Sequence, residues 1–156
     1  MAIRQLRYSG DDILTKKAKK IEKVDDRIKE LADDMLDTMY ANDGIGLAAC
    51  QVGMLKAMLV YDVNYIEEGK EKKPNILINP KILSLSKSMV TVEEGCLSFP
   101  DVFNNVDRHE KVKVEYTDIE GNRKVIKASG MEAIVIQHEY DHLEGIVFLD
   151  RVNKNN

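Results

Sequence analysis

The sequence predicts a mixed fold, with helices towards both ends of the chain and strands between them. Three observations carry this. Apolar residues recur at spacings of three and four from Ile28 to Met39, one face of a helix. Over residues 57–128 they instead run together or alternate, as in strands. A second helical stretch follows Ser129 and meets a stop at Gly145. No internal repeat or linker divides the chain, so residues 1–156 read as a single domain.

Each element has a local reason. Asp11-Asp12 is placed to cap a short helix through Ile13, Leu14 and Ala18. Asp25-Asp26 opens the longer helix, with Ile28, Leu31, Ala32, Met35, Leu36 and Met39 on its apolar face. Asn42-Asp43-Gly44 should end it. Residues 57–63 are nearly all apolar and read as a strand. A second strand covers 75–79 and is expected to stop at Pro80. Residues 88–93 and Lys111–Thr117 alternate, the latter as Val112, Val114 and Tyr116 against Lys111, Lys113 and Glu115. Glu120-Gly121-Asn122 is a turn into a strand over 123–128. Residues 67–74 form a charged surface loop, too short to link domains.

The closing helix begins at Ser129, which with Glu132 fits a capping box. Ile134, Val135 and Ile136 follow, three β-branched residues in a row. Such residues are poor helix formers in isolation, so this helix must be held by packing on most sides.

Composition excludes several classes. The chain has 156 residues, 32% charged and 44% apolar, with net charge −4. That is enough length for a real core. It offers no electrostatic case for nucleic acid or an anionic membrane. No apolar run approaches the ~20 residues of a membrane span. The start, Met1-Ala2-Ile3-Arg4-Gln5, resembles neither a signal nor a transit peptide. Two cysteines, Cys50 and Cys96, fit a reducing cytoplasm better than a disulfide framework.

The chemistry concentrates in Gln137-His138-Glu139-Tyr140-Asp141-His142. Histidines four apart on a helix share a face and can reach one metal ion. Glu139, beside the first, can handle a proton of a metal-activated water. A lone histidine on a helix is more often a satisfied core residue, but the pair with Glu139 between them favours a metal. The third ligand is less direct. Extended zinc peptidases place a further His after Gly-x-x, and this chain has Phe148 there. A Glu from a later helix has no room in the 14 residues after His142. Glu144 lies about 200° around the helix from His142 and faces away. The ligand must come from upstream: His109, Cys50, Cys96 or a carboxylate. Cys96 is favoured, because it follows Gly95 in a turn and a thiolate suits a borderline-soft ion. Cys50 reads as a small buried hydrophobe. His109, between Arg108 and Glu110, reads as solvated.

Gly44-Ile45-Gly46-Leu47-Ala48-Ala49 satisfies a dinucleotide fingerprint by letter, but a helix precedes it and a strand follows, the reverse of the required order. Its small residues suit close backbone packing or a bound peptide. Gln51 ends the run, and its amide could donate to an oxyanion.

Together, residues 44–51, 94–98 and 137–142, the last followed by Leu143 and Gly145, resemble in order and spacing the three signature motifs of the peptide deformylases. The likeness extends to Ile78-Asn79-Pro80 and Val106-Asp107-Arg108. It implies an α+β fold, with antiparallel β-sheets packed around a central C-terminal helix carrying the His-Glu-x-x-His motif, plus an N-terminal helix. It implies metal-dependent hydrolysis of the formyl group from the N-terminal formyl-methionine of new polypeptides. It assigns Cys96, His138 and His142 to the metal, with water in the fourth position. Glu139 becomes the acid–base, and the Gln51 amide with the Leu97 N–H receives the oxyanion. The peptide would pair as an added strand along Gly46 and Glu94-Gly95, its methionine walled by Ile45, Ile134 and Val135. Fe²⁺ is the ion expected in the cell, with Zn²⁺, Ni²⁺ or Co²⁺ able to fill the site in preparations. An iron–thiolate site is expected to be oxygen-sensitive.

Two departures stand out. The family's Leu-Arg pair near the start is Leu14-Thr15 here, and the long C-terminal ribosome-docking helix of some members has no counterpart. Any contact with the ribosome would be transient and by another route. The short spacing between the first two motifs suggests the bacterial form, acting in the cytoplasm on a formyl-methionine peptide, without nucleic acid or membrane. The rival readings are a zinc-type metallopeptidase or other amidase, and an inactive metal- or peptide-binding module.

Overall fold

Five strands form one sheet in the computed structural model, which describes residues 2–66 and 71–151. In chain order the elements are α1 (Asp26–Ala41), β1 (Gly46–Ala48), β2 (Met58–Tyr61), β3 (Asn75–Leu85), β4 (Met89–Cys96), β5 (Phe99–His109), β6 (Lys111–Thr117), β7 (Arg123–Ser129) and α2 (Gly130–Leu143). The larger sheet has the order β1-β2-β3-β6-β7, antiparallel throughout. β4 and β5 form a separate antiparallel pair. No described helix is long and apolar enough to cross a membrane.

The two helices cover opposite faces of the sheet. Ile28, Leu31, Met35 and Met39 of α1 pack with Leu47, Met58, Val60 and Ile78. Ala133, Val135 and Ile136 of α2 pack with Ala48, Leu59, Tyr61, Leu77 and Val114. Successive strand residues thus alternate between two cores, and both faces are buried. This is why residues 57–63 carry no polar alternation. Each fully buried Leu or Met here stabilises by roughly 1.5–3 kcal/mol before the ordering entropy is subtracted. α2 keeps its β-branched run because residues 133–139 are almost entirely buried, so packing overrides propensity.

Several boundaries differ from expectation. The first helix is a single 3₁₀ turn, Asp12–Thr15, capped by Asp11 and ending before Ala18. β3 does not stop at Pro80 but runs to Leu85. The ladder to β6 shifts register between Ile78 and Lys81, so the proline, which has no N–H to donate, sits in a bulge. Asn79 there takes a φ of 50°, and its amide bonds both backbone groups of Ile21. The capping box at α2 is not formed: Ser129 caps by backbone position alone, and Glu132 turns away to accept from the Tyr61 hydroxyl at 2.9 Å. β1 and β5 were not foreseen, and β4 runs on to Cys96. The charged loop falls partly on 67–70, and the chain end on 152–156, both outside the described residues.

Candidate active site

Helical register sets the site. From Gly130 onward α2 buries Ala133, Val135 and Ile136 against the sheet. His138 and His142 then project together, one turn apart. Their ring centroids lie 5.2 Å apart at an interplanar angle of 65°. Gly145, with φ 76°, ends the helix as its sequence position predicts.

The third side chain arrives from β4. Pairing with β5 slips between Gly95, which faces Phe103, and Cys96, which faces Phe99, and this irregularity ends the strand at Cys96. Its Sγ lies 3.4 Å from His142 Nε2. The donor atoms of Cys96, His138 and His142 all lie within 4.8 Å of one another. One sulfur and two imidazole nitrogens form a donor set suited to a borderline-soft divalent ion. His138 offers Nε2, because Glu94 Oε1 holds its Nδ1 at 2.7 Å. Burial lowers the pKa of His138, but Glu139, Cys96 and Glu94 outweigh it and raise it to about 10. Burial, with His138 and Arg108 facing it, keeps His142 neutral. The residues fit a metal.

Around this triad the other expected residues converge. Glu139 is buried, with Oε2 4.0 Å from His138 Nε2 and Oε1 without a hydrogen-bond partner among the described residues. Burial raises its pKa to about 7 against the pull of His138. Gln51 is buried on a 3₁₀ turn, Ala49–Val52, after β1. Its Oε1 accepts from the Ala48 N–H at 2.9 Å. Its Nε2 therefore points at Ser98 Oγ (3.1 Å) and Cys96 Sγ (3.5 Å). The Gln51 amide thus faces the metal-binding side. Ile45, Gly46, Gly95, Leu97, Ile134 and Val135 all line one cleft of about 680 Å³ with Cys96, His138 and Glu139. Gly46 leaves the Glu139 carboxylate its place: a Cβ there would stand 2.6 Å from Oε2.

One expectation needs correction. His109 is not solvated: it is half-buried, its Nδ1 2.6 Å from the Ser86 carbonyl and its N–H bonded to Gln137 Oε1. Arg108 beside it is 2% exposed. Glu94 also lines the cleft, with its carboxylate turned to Arg108 and His138. Arg108 grips it with Nε and NH2 at 2.7 and 2.9 Å. Burial raises the pKa of Glu94, but the bonds from Arg108 and His138 outweigh it and hold it at about 2. Cys50 is buried as expected, its thiol pushed up to about 12 by desolvation.

Sequence reasoning missed the supporting layer: Arg108, Asp141, Ser98 and Phe148. Asp141 is buried and accepts from Arg108 NH1 at 2.6 Å. Phe148, where an extended zinc peptidase has its third histidine, packs its ring against His138, 5.9 Å between centroids. The one available signal was charge without an exposed pattern, Arg108 close to Val106 and Asp141 between the histidines.

Comparison with known proteins gives a consistent picture. The family model described as Polypeptide deformylase matches residues 3–156. A peptide deformylase of Picosynechococcus is 49% identical over 148 residues, 95% of this chain and 78% of that protein. One of Agrobacterium fabrum is 45% identical over 154 residues, 99% of this chain and 89% of that protein. The crystal structure of peptide deformylase from Thermotoga maritima matches with TM-score 0.91 at 38% identity, covering 98% of this chain and 99% of that one. That from Ehrlichia chaffeensis in complex with actinonin matches with TM-score 0.92 at 43% identity, covering 99% and 91%.

Proposed function

The chain belongs to the polypeptide deformylase family, and we propose that it hydrolyses the formyl group from the N-terminal formyl-methionine of newly made polypeptides, releasing formate. The observation that carries this reading is the convergence of Cys96, His138 and His142 beside Glu139 and Gln51 on one cleft.

We assign the metal to Cys96, His138 and His142. A divalent ion held there supplies Lewis-acid polarisation and acidifies a water. The resemblance to the family favours Fe²⁺. The rest belongs to the chain. The outer strands of the two sheets, β1 and β4, border the cleft at Gly46 and Glu94-Gly95. Each has an edge outside its ladder, so an extended peptide can add as a strand and present its first residue inward. Ile45, Ile134 and Val135 supply apolar surface for the methionine side chain. Glu139 takes the proton of the attacking water and returns it to the leaving amine. The Gln51 amide and the Leu97 N–H receive the developing oxyanion. Residues 1–156 act as one catalytic domain. The proposed setting is the cytoplasm, with transient contact with the ribosome that supplies the substrate.

Phe148 argues against an endopeptidase. It stands at the sequence position of the extended zinc peptidases' third histidine, offers no donor, and packs its ring on His138. The test is purification without oxygen, measurement of bound metal, and an assay of formate release from formyl-Met-Ala-Ser. About one equivalent of divalent metal with chelator-sensitive formate release is expected. A metal-loaded protein that releases no formate would move the assignment to another amidase or a binding module.

A further inference from the structure

Behind the two histidines lies a run of alternating charge that the reaction itself does not use. Glu94 Oε1 meets His138 Nδ1 at 2.7 Å. Arg108 forks onto Glu94 and reaches Asp141 Oδ2 with NH1 at 2.6 Å. Arg151 closes the run from beyond the helix, with Nε on Asp141 Oδ2 at 2.5 Å and NH2 on Oδ1 at 3.0 Å. Glu94, Arg108 and Asp141 are all at most 6% exposed. Two carboxylates and two guanidiniums alternate, and their charges cancel.

We propose that Arg151 is a positioning residue, which balances this buried chain and so fixes the His138 ring for the metal. Without Arg151, a single guanidinium serves two buried carboxylates. Asp141, buried, then keeps only its bond from Arg108 NH1, an unfavourable state in a low dielectric. Arg108 already spends its donors on both acids. Drawn toward Asp141, it loosens its fork on Glu94, and Glu94 is what orients His138. Groups that orient a ligating histidine typically change metal affinity by about 10–100-fold when removed. A second contact runs the same way. The 3₁₀ turn that carries Arg151, Phe148–Arg151, buries Phe148 between the rings of His138 and Phe99, at 5.9 and 5.6 Å. The segment after α2 is therefore a brace for the metal-bearing end of the helix. This inference rests on the metal role assigned to His138 and His142 above.

The test compares parent, Arg151→Gln and Arg151→Lys, each purified metal-loaded. Three quantities are read: the rate of metal loss to a chelator, kcat and KM for a formyl-Met peptide, and the thermal midpoint of the metal-free protein. For Arg151→Gln, metal loss should be about 10-fold faster and kcat lower at unchanged KM. Lysine keeps the charge but not the two-pronged contact, so Arg151→Lys should fall between the two. A purely structural role would lower the metal-free midpoint and leave metal loss and kcat untouched, which overturns the proposal. If Arg151→Gln does not fold, Arg151→Lys decides: a release rate equal to the parent's refutes it. A parent that binds no metal sinks the metal reading together with this inference. A parent that binds and deformylates, with release unchanged in the variants, sinks this inference alone.

Discussion

Replacing Gly46 with alanine adds one methyl group at the point where β1 crosses α2, and the structure says what it would strike. Its Cβ would lie 2.6 Å from Glu139 Oε2, 2.9 Å from Val135 Cγ1 and 3.0 Å from Glu139 Cγ. Carbon atoms in favourable contact stand about 3.5 Å apart or more, so Val135 or the strand must yield by roughly 0.6 Å. Val135 is β-branched and buried against the sheet, with little rotamer freedom to offer. β1 is tied to β2 at Gly46, Leu47 and Ala48. The contact with Val135 must therefore be absorbed as strain, while the Glu139 carboxylate, the proposed acid–base and the freest of the groups struck, swings away. Misplacing a reacting group by about 1 Å can cost about 100-fold, so a kcat loss of roughly 10–100-fold is expected, about 1.4–2.7 kcal/mol of barrier. Overpacking should also lower stability by about 1–3 kcal/mol. The assay is formate release with metal content measured on the same sample, so that a shifted Glu139 is distinguished from a lost ion. Gly44→Ala is the internal comparison. Its Cβ meets only Leu97 Cδ1 at close range, 2.7 Å, the swinging end of a side chain, so the loss should be smaller. If Gly46→Ala keeps kcat within about twofold of the parent at equal metal content, the packing argument for Glu139 is wrong.

Further outcomes follow from the same geometry. Glu139→Gln should retain the metal and abolish turnover; undiminished formate release would remove Glu139 from its acid–base role. Cys96→Ser should weaken the metal strongly, since a hydroxyl is a poor substitute for a thiolate, and an unaltered metal content would refute Cys96 as ligand. Glu94 ties pH to stability. Its carboxyl sits at about 2 against an ordinary 4.5, so its stabilisation is present above about pH 4.5 and is lost as pH falls towards 2. In metal-free protein the thermal midpoint should drop more steeply over that window for the parent than for Glu94→Gln, and parallel curves would count against the Arg108–Glu94 pair.

How far the sequence spoke for this structure depends on whether a residue's role was local. His138 and His142 were legible because helical periodicity alone puts them on one face. α1 and β6 were legible for the same reason: an apolar stripe at helical spacing and a clean alternation are short-range signals. β5 was missed because Phe99–His109 mixes exposed and buried positions without a steady period, being paired on β4 rather than laid on the core. Pro80 misled because a proline ends a central ladder unless a bulge excuses its missing donor, and the bulge depends on Asn79 binding Ile21, 58 residues away.

The charged residues make the sharper case. Arg108, Glu94 and Asp141 each look like ordinary surface chemistry in sequence, yet each is almost fully buried. Any one of them buried alone would be strongly destabilising, so their burial makes sense only as a set. A set assembled from β4, β5 and α2 carries no local pattern that a reading of one sequence can detect. The same holds for Gln51, whose amide is aimed at Cys96 because its carbonyl is already committed to the Ala48 N–H. The ligands can thus be read from spacing, whereas what orients them is written in long-range pairing. Substitutions in that orienting layer are where metal retention and turnover should separate from fold stability.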